Sequence, residues 1–171
     1  DSIPNLVFCG FQMMFAIITP ALITGAVVGR MRFKALFVFI ALWSLIVYYP
    51  LAHMVWGQGG LLAELGSVDF AGGDVVHISS GITALVLAII LGRRKGYERM
   101  TYRIHNIPFV VLGATILWFG WFGFNAGSSL KADGLAAHAF MTSAIASASA
   151  LLSWMLLDVI NDRKTTLVGA S

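Results

Sequence analysis

The sequence predicts an all-α, polytopic integral membrane protein with five transmembrane helices, and three observations carry that prediction. Hydrophobic residues make up 58% of the 171 and charged residues only 11%, with a mean hydropathy of +0.85; ordinary soluble domains carry about 25% charged residues. Apolar runs repeatedly reach the ~20 residues needed to cross a bilayer. The basic residues fall in alternate connections between those runs.

None of the runs alternates strictly as a barrel strand would. In lipid only helices and closed barrels satisfy every backbone N–H and C=O, so all five runs are read as helices. The first spans about 6–29 and carries Phe11, Phe15 and Thr19 at i, i+4 and i+8, with Pro20 next. The second, about 35–56, closes on Trp56. In the third, about 75–92, Gly73, His77, Gly81, Ala84 and Ala88 recur at spacings of three and four, so a histidine shares a helix face with small residues that permit close helix approach. The fourth covers about 107–126, with Phe124 and Ser128 one turn apart at its end, and the fifth about 135–160. The connection 57–74 is too glycine-rich for a continuous helix and is expected to pack as a compact cap. With no linker between the runs, residues 1–171 are read as one membrane domain. The chain opens at Asp1 without a signal region and stops at Ser171, which reads as a fragment of a longer protein.

The charges set an orientation. Arg30, Arg32 and Lys34 follow the first helix; Arg93, Arg94, Lys95, Arg99 and Arg103 follow the third; Arg163 and Lys164 follow the fifth. Ten of the eleven basic residues thus lie on one side, which the positive-inside rule makes cytoplasmic. The other side holds Lys131 with Asp1, Glu64, Asp69, Asp74 and Asp133. A net charge of +3 and a pI near 9.3 would suggest nucleic acid for a soluble protein. Here the charges belong to membrane loops, and no nucleic-acid partner is expected.

A small set of residues carries candidate chemistry. An ionisable group at membrane depth is costly and faces a cavity or a partner rather than lipid, which makes His77 a pore or ligand candidate; a core histidine bonded to a backbone carbonyl is the alternative. Trp56 fits an interfacial aromatic belt. Together with phenylalanine faces and a hydroxyl at the same mouth it also suits a small cation, since π-faces attract it and an oxygen accepts its proton. Aromatic stripes at helical spacing also serve plain packing. Asp69 and Asp74 flank the start of the third helix, where a carboxylate caps free N–H groups; capping is favoured over direct ligation. Cys9, the single cysteine, reads as a small core side chain. No catalytic or phosphate-binding motif occurs, and His53, His77, His105 and His138 lack the compact spacing of a metal site, so neither an enzyme nor a metal or cofactor is expected.

Three strings then resemble a known family. Ala52-His53-Met54-Val55-Trp56, Asp69-Phe70-Ala71-Gly72-Gly73-Asp74-Val75-Val76-His77, and Trp121-Phe122-Gly123-Phe124-Asn125-Ala126-Gly127-Ser128 closely resemble, in order and spacing, motifs of the ammonium transporters. Trp56 favours these over the related Rhesus proteins. The resemblance implies an outer ammonium-recruitment site from Trp56, Phe11, Phe15 and Ser128, and a stacked gate pair in Phe15 and Phe124. It further implies a supporting carboxylate in Asp69 and the first of two pore histidines in His77. It makes ammonium or ammonia the substrate, the bilayer the surroundings, the plasma membrane the location and a homotrimer the assembly of the complete protein. In family terms the chain corresponds to helices three to seven of eleven, a partial fold that lacks the second pore histidine. Met13 and Met14 replace smaller residues common beside the gate. Two other readings stay open here: the ammonium-sensing membrane portion of a signalling protein, and a haem-binding electron carrier using the histidines.

Overall fold

A computed structural model describes residues 2–99, 105–161 and 164–169. Arg103, Arg163 and Asp1, named above for the charge distribution, lie outside these residues. Among the described residues the protein is helical throughout, with five helices long and apolar enough to cross a membrane. Helix α1 is Asn5–Val27. Helix α2 is built from Phe33–Trp43, a π-helical stretch Ser44–Tyr48 and Tyr49–Trp56. Helix α3 opens with a π-helical stretch, Gly73–Ile78, and continues as Ser79–Leu91. Helices α4 and α5 are Ile107–Gly127 and Gly134–Ile160.

The widening in α2 has a local cause. Pro50 has no N–H for an i−4 carbonyl and its ring crowds that carbonyl. A π turn just before it relieves the conflict without ending the helix. In α3 the N–H groups of Val76 and His77 both reach the Gly72 carbonyl, at 3.0 Å each, which starts the second wide turn.

The chain divides into two compact units, one holding α1 to α3 and the other α4 and α5. In the first, α1 packs along α3. Phe15, Thr19, Ile23 and Val27 recur every four residues and are buried, as are Val75, Val76 and Ser80 on α3. Lipid tails are as apolar as valine, so close packing and interhelical hydrogen bonds, rather than escape from water, hold such helices together. One such bond joins α2 to α3, from the Trp43 indole N–H to Thr83 Oγ1 at 3.0 Å. Thr19 sends its hydroxyl to the Phe15 carbonyl at 2.6 Å, so its own donor is not left bare in the apolar layer.

Arg30 fastens the opposite end of this unit. Its guanidinium donates to the Ala88 and Gly92 carbonyls of α3, at 3.4 and 2.8 Å, and to the Ala26 carbonyl of α1. These carbonyls lie at the helix ends, where the negative pole of each dipole sits, and the Ala88 carbonyl also accepts the Gly92 N–H at 3.2 Å. One cation therefore bridges both helix ends.

The second unit is held by aromatic and polar contacts between α4 and α5. Phe122 stacks on Phe140 with centroids 4.4 Å apart, and Asn125 Nδ2 donates to Ser143 Oγ at 2.7 Å. Asp133 caps α5 by accepting the Ala136 N–H at 2.9 Å. The Ser129 hydroxyl, then that N–H and Lys131, hold its carboxyl below the usual range, at about 2. The cap's contribution is full above the ordinary carboxylate pKa and is lost as pH falls through about 2.

Candidate functional site

Trp56, Phe15 and Phe11 meet at one end of the first unit. Trp56 is the last residue of α2, and its ring lies edge-on to Phe15 with centroids 5.6 Å apart at 81°. Phe15 in turn meets Phe11, one helical turn earlier, at 4.8 Å and 67°. Phe15 is buried, whereas Phe11 and Trp56 are half-exposed. Edge-to-face pairs of this kind add stability beyond area burial and fix the ring orientations. The α1 spacing of four puts both phenylalanines on one face, and the α2 terminus brings Trp56 to them.

The Trp56 indole N–H donates to the backbone carbonyl of Asp69 at 2.9 Å, so the loop before α3 sets the angle of the ring. Asp69 itself is anchored at four points. Its Oδ1 accepts the N–H groups of Gly72 and Gly73 at 2.5 and 2.9 Å, and its Oδ2 those of Asp74 and Val75 at 2.8 and 3.0 Å. A carboxylate offers about four acceptor positions, and here four donors take them. Asp69 therefore caps the start of α3 with both carboxylate oxygens. Gly72 turns the chain at φ +101°, a left-handed value that lets successive N–H groups converge on one carboxylate and that a side chain would strain. Asp74 is tied to the preceding loop by the Ser67 hydroxyl at 3.1 Å. The glycine-rich connection also holds a single helical turn, Leu61–Glu64.

His77 lies further along α3, at the close of the π-helical stretch. Its side chain is exposed on the chain's surface, as are Gly73 and Gly81 on either side, while Val75, Val76 and Ser80 face α1 and are buried. Gly73, His77 and Gly81 thus lie on the open face of α3, Ala84 and Ala88 are half-buried, and α1 packs on the face of Val75, Val76 and Ser80.

Phe124 and Ser128 belong to the second unit, near the end of α4. Trp121 stacks on Phe124 at 4.7 Å and 16°, and the Ser128 hydroxyl donates to the Phe124 carbonyl at 2.8 Å. That bond commits the serine proton and leaves the oxygen's lone pairs to accept. The structure thus gathers Phe11, Phe15, Trp56 and Asp69 in one cluster, places His77 beyond them on α3, and pairs Phe124 with Ser128.

Two structural supports escaped sequence reasoning. Arg30 was legible only as a loop charge, because its carbonyl partners lie 58 and 62 residues away. The indole bond from Trp56 to Asp69 is equally silent, since a backbone acceptor leaves no residue signature.

The pattern of the Ammonium Transporter Family matches residues 1–171, the whole chain. The chain belongs to the ammonium transporter family. It is 49% identical over 178 residues to an ammonium transporter of Mycobacterium tuberculosis, covering 99% of this chain and 37% of that protein. It is 49% identical over 170 residues to one of Bacillus subtilis, covering 99% of this chain and 41% of the relative. With one of Aquifex aeolicus it shares 53% over 168 residues, which is 98% of this chain and 39% of the other. The chain therefore spans about two-fifths of the length of these ammonium transporters.

Proposed function

We propose that this chain is the central part of an ammonium transporter of the plasma membrane, a single partial membrane domain contributing an outer cation-recruitment site, an aromatic gate and a pore histidine. The observation that carries this reading is the convergence of Trp56, Phe15 and Phe11, with Trp56 held by the Asp69 backbone. Ring faces attract a small cation without a charged ligand, and Asp69 spends its oxygens on α3.

In this reading ammonium is recruited by Trp56, Phe11, Phe15 and Ser128, whose oxygen accepts one of its N–H groups. Phe15 and Phe124 form the gate. Below it the cation gives up a proton and crosses the lumen as ammonia, because an unaccompanied ion there costs several kcal/mol. His77, on the open face of α3, accepts a hydrogen bond from ammonia or relays the proton. The complete protein assembles as a homotrimer with one pore in each subunit.

Trp56→Leu in the complete transporter is expected to weaken ammonium binding about 2- to 30-fold while leaving trimer assembly intact, the range spanned by exposed to desolvated cation–π contacts. Isothermal titration with ammonium measures it; unchanged affinity would return Trp56 to the aromatic belt.

The membrane orientation is part of the proposal. Basic connections 30–34, 93–106 and 161–166 face the cytoplasm, as the ten-to-one distribution of basic residues indicates. In a background with Cys9 replaced by serine, Tyr97→Cys and Ala132→Cys are expected to react with an impermeant maleimide from opposite sides of intact cells. Reaction of both from outside would reverse the assignment.

A further inference from the structure

We propose, on the reading of the outer aromatic cluster as an ammonium site, that Tyr48 is a positioning residue for it: the phenol donates to Thr19 Oγ1 and so ties α2 to α1 one helical turn from Phe15. Tyr48 is 2% exposed and Thr19 fully buried, in the apolar layer where α1 meets the π-helical stretch of α2. The Tyr48 Oη makes no hydrogen bond of ordinary geometry among the described residues. The side-chain hydroxyl within its reach is that of Thr19. For packing alone a phenylalanine would fill the same space with no polar group to satisfy.

The protons assign the direction of the bond. A threonine hydroxyl has one proton and two lone pairs, and Thr19 commits that proton to the Phe15 carbonyl at 2.6 Å. Towards Tyr48 it can therefore only accept. A phenol donor left bare in an apolar layer costs more than the slight ring rotation that closes the bond. The result is a polar chain from the Tyr48 O–H to the Thr19 O–H to the Phe15 C=O. It runs from a side chain of α2 to the backbone of the residue whose ring meets both Phe11 and Trp56.

Position gives this bond its leverage over Trp56. The Tyr48 ring is held by Trp43, at 6.3 Å and 34°, and by Tyr49, at 5.6 Å and 73°, and Trp43 is itself fastened to Thr83 of α3. The phenol is thus fixed by its neighbours before it reaches α1. Each residue turns an α-helix by about 100°, so the wide turn at 44–48 shifts the phase at which later side chains of α2 face α1. A bond from the last residue of that turn fixes the phase. Trp56 ends the same helix, so its angle to Phe15 depends on the tie at Tyr48.

The test is isothermal titration of the complete transporter with ammonium, with thermal unfolding of each variant beside it. Tyr48→Phe keeps the ring, removes the donor and is expected to weaken ammonium binding about 2- to 12-fold, the range of one net intramolecular hydrogen bond. Thr19→Val should weaken it as well, and Tyr48→Phe added to Thr19→Val should lose nothing further, because the bond is already gone. Thr19→Ser keeps the hydroxyl and should bind nearly as the unaltered protein does. Ile23→Val loosens the same buried layer without touching the polar chain; it should lower the unfolding midpoint and leave affinity unchanged. Trp56→Leu reports whether the cluster binds ammonium at all. Weaker binding in Trp56→Leu but not in Tyr48→Phe, additive losses in the double variant, or a loss of affinity in Ile23→Val equal to that in Tyr48→Phe would overturn the positioning role. Unchanged binding in Trp56→Leu would instead remove the cluster as the ammonium site, and the role of Tyr48 with it.

Discussion

Asp69→Ala is expected to lower stability by about 2–4 kcal/mol and to abolish ammonium binding at the outer cluster. The alanine strands four backbone N–H groups, of Gly72, Gly73, Asp74 and Val75, that now share two carboxylate oxygens. Loss of an ordinary helix cap costs about 1 kcal/mol, and each donor left without an acceptor in a part-buried site adds to that. Water can reach the Gly73 N–H, which is exposed, and so limits the loss. The binding effect follows from position, because the Trp56 indole is tied to the carbonyl of this same residue. Once the loop relaxes, the ring loses its anchor and its angle to Phe15. Thermal unfolding in detergent and ammonium titration measure the two effects. Asp69→Asn keeps one acceptor oxygen and should fall between; binding that survives Asp69→Ala would detach Trp56 from this loop.

Gly60→Ala is expected to cost about 1–3 kcal/mol and to weaken ammonium binding in parallel. Gly60 is buried under the end of α2, where a Cβ would stand 2.5 Å from the carbonyl oxygens of both His53 and Met54. These are backbone atoms of the last turn of the helix that carries Trp56, so no side-chain rotation relieves the overlap. The turn itself must move, and Trp56 moves with it. Gly10→Ala supplies the contrast: in the interior of α1 an added Cβ meets nothing within 4 Å, and alanine gains about 0.5–1 kcal/mol over glycine in a helix. Paired melting curves read the difference directly. A Gly60→Ala protein as stable as Gly10→Ala would show that the turn after Trp56 is free to give way.

The five helices and the family were legible because lipid leaves the backbone few options. With no water to satisfy N–H and C=O, long apolar runs must be helices, so hydropathy alone announces them. The strings around Trp56, Asp69 and Phe124 were legible for a different reason, since they pack rare residue types into fixed order. Orientation along helices was only partly readable. The spacing of Phe15 and Thr19 does mark the buried face of α1, and Ile23 and Val27 extend it. The small residues of α3 suggested a packing face, yet Gly73 and Gly81 are exposed with His77 while valines meet α1. Small size permits close approach without requiring it, and bulkier β-branched residues pack equally well where backbones stand further apart.

By itself, then, the sequence determined the class, the count of helices, the distribution of charge and the family, all properties that depend on composition along the chain. Only the tertiary structure decided which groups hold one another: the four N–H groups on Asp69, the indole of Trp56 on a backbone carbonyl, and Arg30 across the ends of two helices. The physical reason is that each of these bonds uses a backbone donor or acceptor. Nearly every residue carries the same N–H and C=O, so their pairing is set by where the fold brings them, at helix ends and tight turns where they lack an internal partner.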